Sequence, residues 1–265
     1  MAQSLALIAD ASHNLGDVLS LLLAWGAAIL ATRKPSARFT YGLRSSTILA
    51  ALANSMLLLM VSGGIAWEAW LRLHSPHTVN STVVIIVALV GIIINTATAL
   101  LFRAGRHSDI NIRGAYLHMA VDALVSVGVV AAGIGMYLTD WAWLDTAISL
   151  VIVVVIFAGT WQLLRDALRL ALHAVPDNID SNAVRKFLTA QPGVREIHDL
   201  HIWGMSTTET ALTAHLVMPD GHPGDDYLAE LAHHIEHDYG IHHATLQVET
   251  GVSRKPCALA PDHVV

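Results

Sequence analysis

The sequence predicts a bundle of five membrane-spanning α-helices followed by a small α+β domain. Hydrophobic residues make up 54% of the 265 residues and charged residues only 14%, whereas a soluble domain typically carries about 25% charged residues. Five apolar stretches are each long enough to cross a hydrocarbon core, which takes about 20 residues. After Pro176 short alternating runs replace these stretches. The sequence therefore divides into a transmembrane part (1–175), a second domain (176–250) and a disordered tail (251–265).

The apolar stretches are the predicted spans, and polar loops separate them. They cover roughly residues 4–32, 46–73, 82–102, 112–138 and 143–164. The first span lacks the basic segment and the cleavage site of a signal peptide, so it is interpreted as a mature helix. Because five is an odd number, the two ends of the chain are expected on opposite sides of the membrane.

The loops predict the orientation. Arginine and lysine concentrate in loops 33–45 and 103–113 and after residue 164, and basic loops stay on the cytoplasmic side. The opposite interface carries an aromatic belt of the kind found at membrane surfaces, formed by Trp67, Trp70, Tyr137, Trp141 and Trp143. We therefore expect an integral protein of the plasma (inner) membrane, in contact with lipid, with its C-terminal domain in the cytoplasm.

The C-terminal domain has the predicted order αββαβ. A helix at 181–191 is followed by strands at 194–203 and 209–218, a helix at 225–238 and a strand at 243–249, which favours a small open-faced sandwich. Residues 176–265 hold 13 acidic and 5 basic residues and 10 of the 16 histidines. This composition suits divalent cations and argues against nucleic acid. The single Cys257 excludes an intrachain disulfide and a thiolate cluster, so metal is expected to bind through nitrogen and oxygen.

Two His-x-x-x-Asp pairs lie within the apolar spans: His13 with Asp17, and His118 with Asp122. Four residues along a helix return to the same face one turn away. Two such helices facing each other present two imidazoles and two carboxylates. That is a ligand set for one tetrahedral divalent metal, with zinc first among the candidates.

The two carboxylates need a compensating partner, because inserting an ionised carboxylate at the centre of a membrane helix costs about 2.5–3.5 kcal/mol. Two carboxylates and two neutral imidazoles around a 2+ ion sum to zero charge, and without metal the same atoms attract protons. The two helices run in opposite directions, which places His13 level with Asp122 and Asp17 level with His118. All four lie near the midplane, where alternating access requires a site.

The other polar residues of the spans have simpler interpretations. Asp10 shares the face of His13 and is expected to line the outer mouth of the site. Asn54 and Asn95 are expected to form hydrogen bonds between helices. The alternative for the two His-Asp pairs is that they too only stabilise helix packing.

Four segments together resemble the cation diffusion facilitator family, and the likeness extends over nearly the whole chain. They are residues 4–13 (SLALIADASH), 39–42 (FTYG), 48–51 (ILAA) and 193–203 (GVREIHDLHIW). The resemblance implies a homodimeric metal/proton antiporter, not an enzyme, that exports Zn²⁺ and similar ions from the cytoplasm. It places the transport site at His13, Asp17, His118 and Asp122.

The sequence departs from this family in three respects. Family members usually have six spans, and the segment at 4–13 normally opens the second, so the chain is interpreted as lacking the first span. Thr47 stands where the family often has an acidic residue. Loop 33–44 contains neither histidine nor aspartate, so an accessory metal site there is not expected.

The C-terminal domain resembles the metallochaperone-like module of the family, whose metal ligands correspond to His198, His215, His242 and Glu249. His198 shares strand parity with Leu200 and Ile202, so it must lie at a strand end or a bulge to join the others. The histidines of the second helix, His233, His234 and His237, are expected on a solvated face, with metal ligation as the alternative.

Two other functions compete with proton-coupled zinc efflux. An intramembrane metalloenzyme could use the same four residues, but a His-Glu-x-x-His motif is absent and four protein ligands leave no open position for water. A metal-sensing or non-transporting partner subunit is the second alternative. Zinc flux through the purified protein separates it from a transporter.

Overall fold

The computed structural model describes residues 4–74, 79–103, 110–251 and 257–261, without the side chains of residues 102, 110–115, 117 and 118. The chain divides into two compact units. The first comprises Met1–Leu21 and Asn54–Gln162, and the second comprises Leu22–Ala53 and Leu163–Val265. Each of the two candidate metal centres lies entirely within one unit.

Five long helices match the five predicted spans: α1 (Leu5–Ala31), α2 (Ser46–His74), α3 (Ser81–Phe102), α4 (Ile110–Thr139) and α5 (Trp143–Ala171). All five are long and apolar enough to cross a membrane. Helix α5 continues seven residues beyond its predicted end. The apolar run stops there, but the following arginine, leucine and alanine residues favour helix and extend it.

The first unit packs through small residues and a few apolar side chains, and the larger apolar side chains of its helices remain mostly exposed, as expected for lipid contact. Gly16 allows α1 to approach α2 closely, because a Cβ atom at this position would lie only 2.5 Å from Leu58 Cδ2. The buried core of this unit contains Leu5, Ala6, Ala9, Ile65, Ala69, Val84, Ala88, Val129, Met136, Ile152 and Val153.

A buried carboxylate holds the first turn of α1. Asp145 at the start of α5 accepts hydrogen bonds from the Ser4 hydroxyl and from the backbone amide of Leu5, the latter at 2.7 Å. The Arg72 guanidinium of α2 lies 3.8 Å from the same side chain. The orphan amides of the helix start and a cation thus compensate a carboxylate that is 1% exposed.

The C-terminal domain has the predicted αββαβ order: α6 (Ser181–Thr189), β1 (Glu196–Gly204), β2 (Thr210–Val217), α7 (Asp225–Tyr239) and β3 (His243–Glu249). The sheet order is β1-β2-β3, with β1 and β2 antiparallel and β2 and β3 parallel. Asp180 caps α6 by accepting from the amides of residues 182 and 183. Gly240 ends α7 at φ 68°, a conformation that glycine adopts without strain.

Both helices of this domain contribute to one apolar core. Val184 and Leu188 of α6, Leu212 and Leu216 of β2 and Ile235 of α7 are fully buried together. Because side chains alternate along a strand, the residues between these core positions point to the opposite face of the sheet. His215 of β2 and Glu249 of β3 belong to that second face.

The connection between α1 and α2 contacts the turn between β1 and β2 within the second unit. Arg44 forms an ion pair with Glu209. The Ser45 hydroxyl donates to the backbone oxygen of Met205 at 3.2 Å, and the amide of Thr207 donates to the Thr47 hydroxyl at 3.1 Å. Thr47, which replaces the acidic residue expected from the family, thus serves as a hydrogen-bond acceptor for this turn.

Candidate metal centres

The first group of possible ligands, the helical centre, joins α1 and α4. His13 Nε2 lies 3.3 Å from Asp122 Oδ1 and 3.7 Å from Asp17 Oδ2. One ligand atom of each residue lies within 4.8 Å of the others. The Asp122 side chain is 4% exposed, while those of His13 and Asp17 are 19% and 26% exposed. The structure therefore brings together three of the four residues predicted for the transport site.

His118 is the fourth predicted residue, and its side chain lies outside the described residues. Its backbone belongs to α4, four positions before Asp122, and therefore one turn away on the same helix face. Because α1 and α4 run in opposite directions, His13 and Asp122 were predicted to lie at the same depth along the two helices. The contact between them agrees with that prediction. Ligation by His118 stays a prediction.

The residues around the helical centre partly follow their predicted roles. The Ser20 hydroxyl of α1 donates to Asn54 Oδ1 of α2 at 2.5 Å, which confirms Asn54 as an interhelical partner. Asn95 Nδ2 on α3 is buried and has no hydrogen-bond partner in the described part of the chain. Asp10 is half-buried outside the three-residue group. Gly91 of α3 lies close to Asp10 and to Ser126, because a Cβ atom at this position would be 3.9 Å from Asp10 Oδ2 and 3.2 Å from Ser126 Oγ.

The second group, the C-terminal centre, lies on the sheet face opposite the apolar core. It comprises His198, His215, Glu249 and Cys257, with one ligand atom of each within 4.8 Å of the others. His215 Nδ1 lies 2.9 Å from Glu249 Oε1, 3.3 Å from His198 Nε2 and 3.6 Å from Cys257 Sγ. His198 Nε2 is 3.5 Å from Glu249 Oε2. The side chains of His198, His215 and Glu249 are 6%, 12% and 21% exposed.

A β-bulge brings His198 to the group. His198 pairs with His215 across β1 and β2, and the register then shifts between His198 and His201. Asp199 lies inside this bulge with φ 52°, a left-handed conformation that is uncommon for residues other than glycine. The extra residue turns His198 to the face of His215 while Ile202 remains in the core. The bulge required by strand parity is therefore present.

The structure does not bring His242 to the other three predicted ligands. His242 precedes β3 and is exposed, and it lines a separate cleft together with Asp166, Arg169 and Glu209. Helix α7 ends at Tyr239, three residues before His242, so this histidine lies at the edge of the sheet rather than on its second face. Cys257, and not the predicted His242, is the fourth member of the group.

The sequence predicted metal binding through nitrogen and oxygen because Cys257 is the only cysteine, but the structure places its thiol among the nitrogen and oxygen donors, 3.6 Å from His215 Nδ1. A single thiol needs no second cysteine when two histidines and a carboxylate supply the remaining donors. Cys257 belongs to the predicted disordered tail. Residues 257–261 of that tail form a turn, with the Ala260 amide 3.2 Å from the Cys257 oxygen, whereas residues 252–256 and 262–265 lie outside the described residues.

The surroundings of the C-terminal centre favour the ionised form of the Glu249 carboxyl. Burial raises the pKa of the Glu249 carboxyl, but hydrogen bonds from the Cys257 thiol and Gln247 and the nearby imidazoles of His198 and His215 outweigh it and hold the pKa below its usual range. By contrast, His234 and His237 on α7 are more than half exposed and face Asp238, which agrees with a solvated face.

Comparisons with known proteins cover nearly the whole chain. Residues 1–170 match the family model of the cation efflux transmembrane domain, and residues 176–251 match that of the cation efflux protein cytoplasmic domain. The metal cation efflux system protein CzcD of Cupriavidus metallidurans is 40% identical over 98% of this chain and 81% of its own length. The cadmium, cobalt and zinc/H(+)-K(+) antiporter of Bacillus subtilis is 33% identical over 94% of this chain and 82% of its own length.

A solved structure also matches the C-terminal part of the chain. It is the metal-bound C-terminal domain of the CzcD transporter from Cuprividus metallidurans, which is 36% identical, covers 27% of this chain and 99% of its own length, and gives a TM-score of 0.25.

Proposed function

The chain belongs to the cation efflux family and is an integral membrane transporter of metal cations with a cytoplasmic C-terminal domain, and we propose that it exports zinc in exchange for protons. Transporters of this family are not enzymes, which removes the intramembrane metalloenzyme from consideration. The zinc and proton assignments rest on the donor atoms of the helical centre and on the similarity to an antiporter of cadmium, cobalt and zinc.

One observation carries the proposal: the convergence of His13, Asp17 and Asp122 between two membrane helices. A nitrogen and two carboxylate oxygens, joined by the predicted imidazole of His118, form the mixed set that zinc accepts in tetrahedral geometry. A divalent ion compensates the burial of the Asp122 carboxylate. Asp17 and His13 keep partial access, as release of a transported ion requires.

Protons compete with zinc for the same imidazole nitrogens. A histidine must be neutral to bind metal, and its reference pKa near 6.5 lies between the pH of the cytoplasm and that of an acidic exterior. When the helical centre opens outward, protonation of His13 and His118 helps to expel zinc. When it opens inward, deprotonation restores zinc affinity, so an inward proton gradient drives export.

The C-terminal centre is proposed as a resident metal site that regulates transport. Its residues fit a zinc ion, because two imidazoles, one carboxylate and one thiol are held together on one sheet face and are mostly buried. His198, His215, Glu249 and Cys257 would hold the metal, and the bound ion would tie residue 257 to strands β1, β2 and β3.

We further propose that the protein acts as a homodimer. Residues 176–251 match a domain model that is named for dimerisation. Light scattering of the purified chain in detergent, corrected for bound detergent, is expected to give twice the 28.5 kDa chain mass. A monomer at concentrations that support zinc transport would contradict the dimer without affecting the transport assignment.

Reconstituted vesicles test the transport proposal. With the C-terminal domain facing the bath, zinc added outside is expected to enter when the vesicle lumen is acidic, and a lumenal pH dye should report proton loss that parallels zinc entry. Zinc entry that does not depend on the pH gradient would remove the proton coupling. A folded protein that binds zinc but moves none would instead support the metal-sensing or non-transporting partner subunit.

A further inference from the structure

Asp199 contacts two histidines from inside the β1 bulge. Its Oδ1 atom lies 2.9 Å from His201 Nε2, and its Oδ2 atom lies 3.5 Å from His215 Nε2. The Asp199 side chain is 11% exposed. Asparagine, aspartate and glycine tolerate the left-handed conformation that this position requires, but glycine and asparagine provide no carboxylate. Backbone geometry alone therefore leaves the choice of aspartate unexplained.

The two ring nitrogens of His215 face different groups. Nδ1 points to Glu249, His198 and Cys257, and Nε2 points to Asp199. A neutral imidazole carries one N–H and one free lone pair. Each ring nitrogen faces a carboxylate, Nδ1 that of Glu249 at 2.9 Å and Nε2 that of Asp199 at 3.5 Å. A metal shared by Nδ1 and Glu249 would leave the ring proton on Nε2, where it faces Asp199.

We propose that Asp199 is a positioning residue for the C-terminal centre, which rests on the proposed metal binding at that centre. Its carboxylate accepts a hydrogen bond from His215 Nε2 and so selects Nδ1 as the metal-binding atom. Its left-handed backbone forms the bulge that turns His198 toward His215. One residue thus sets the orientation of both histidine ligands, one through its side chain and the other through its main chain.

Substitutions separate these two roles. Asp199→Gly keeps a residue that adopts a positive φ freely but removes the carboxylate, so we expect an unchanged fold and zinc affinity lowered by about 10–100-fold, the usual loss for an outer-shell partner of a metal ligand. Asp199→Asn retains an amide oxygen that accepts from Nε2–H, so it should recover part of that affinity. His201→Ala removes only the other imidazole and should change affinity by less than about threefold, below that range.

The experiment uses the full chain in detergent with Asp122→Ala present throughout, so that calorimetric titration with zinc reports the C-terminal centre. Absence of zinc binding in this parent would overturn the metal centre itself. If the parent binds zinc and the Asp199→Gly variant binds it with the same affinity, only the role of Asp199 would be overturned. The metal-free thermal unfolding of each variant shows whether an affinity loss comes from the fold.

A spectroscopic measurement keeps the inference testable even where Asp199→Gly lowers stability. Histidine-ring ¹H–¹⁵N correlation spectra of the zinc-loaded parent should show metal on His215 Nδ1 and a proton on Nε2. Metal on Nε2 would overturn the proposal, because that nitrogen could then not donate to Asp199. Cobalt in place of zinc should also show a sulfur-to-metal charge-transfer band that Asp199→Asn preserves.

Discussion

The two centres use similar donor atoms on different scaffolds. The helical centre joins two helices through side chains one turn apart, whereas the C-terminal centre joins three strands and a later segment through sheet register and a bulge. Helices packed through small residues can shift past each other, but hydrogen-bonded strands hold their register. The helical scaffold suits a site that must release its ion, and the strand scaffold suits a site that retains one.

The donor atoms differ in one respect, the thiol of Cys257. The helical centre has imidazole and carboxylate donors, which bind and release divalent ions readily. A thiolate is a softer donor and binds zinc more strongly. This difference supports our proposal that His13, Asp17 and Asp122 serve transport and that the C-terminal centre serves regulation. Each of the following predictions could reverse that proposal.

The largest effect is expected from Asp122→Ala. Loss of one carboxylate leaves a 2+ ion only partly neutralised in the membrane, so zinc flux should fall to the background of empty vesicles. The measurement is zinc entry into proteoliposomes, with Glu68→Gln, a half-exposed carboxylate on α2, as the matched control. One zinc per chain should remain bound at the C-terminal centre. Unchanged flux would exclude Asp122 from the transport site.

The next effect concerns Cys257→Ala. A structural zinc site contributes about 10–16 kcal/mol of binding free energy, or roughly 2.5–4 kcal/mol for each of four ligands. We therefore expect the affinity of the C-terminal centre to fall about 100-fold or more, as measured by calorimetry in the Asp122→Ala background. His242→Ala is the control and should have no effect. A loss with His242→Ala and none with Cys257→Ala would restore the ligand set predicted from the sequence.

Acid should weaken zinc binding at the helical centre. Between pH 7.5 and 5.5, protonation of an imidazole with a pKa near 6.5 weakens zinc binding about tenfold, and two histidines give about 100-fold. We expect this loss at the helical centre, measured by zinc titration of the full chain with His198→Ala present. A zinc affinity that is constant over this range would rule out proton coupling through histidine.

The smallest effect is expected for ion selectivity. His13→Asp replaces a nitrogen donor with a harder oxygen, so the preference for zinc over manganese or cadmium should narrow on the order of tenfold, about 1.4 kcal/mol. Competition between these ions for transport in vesicles measures this preference. His201→Asp, a histidine outside both ligand sets, is the control. An unchanged competition profile would place His13 outside the coordination sphere.

Local patterns in the sequence determined the architecture. The five apolar runs and the αββαβ order needed only hydrophobic periodicity and turn residues, and both agree with the structure. The helical centre was also predictable in large part, because His13 and Asp17 are neighbours on one helix face at a spacing of four. Only the pairing of His13 with Asp122 required a second helix. The opposite directions of the two helices predicted that these residues lie at the same depth in the membrane.

Only the tertiary structure decided the composition of the C-terminal centre. Strand parity required a strand end or a bulge at His198. It did not show that Asp199 forms the bulge, because the contact of this residue with His215 depends on pairing across the sheet. The sequence favoured His242 as a ligand and gave no reason to include Cys257, which lies in the predicted disordered tail. Cys257 follows β3 after a gap, and no periodic pattern links it to His215, 42 positions earlier. Long-range contacts of this kind arise from packing, whereas sequence spacing reports only neighbours within one helix or strand.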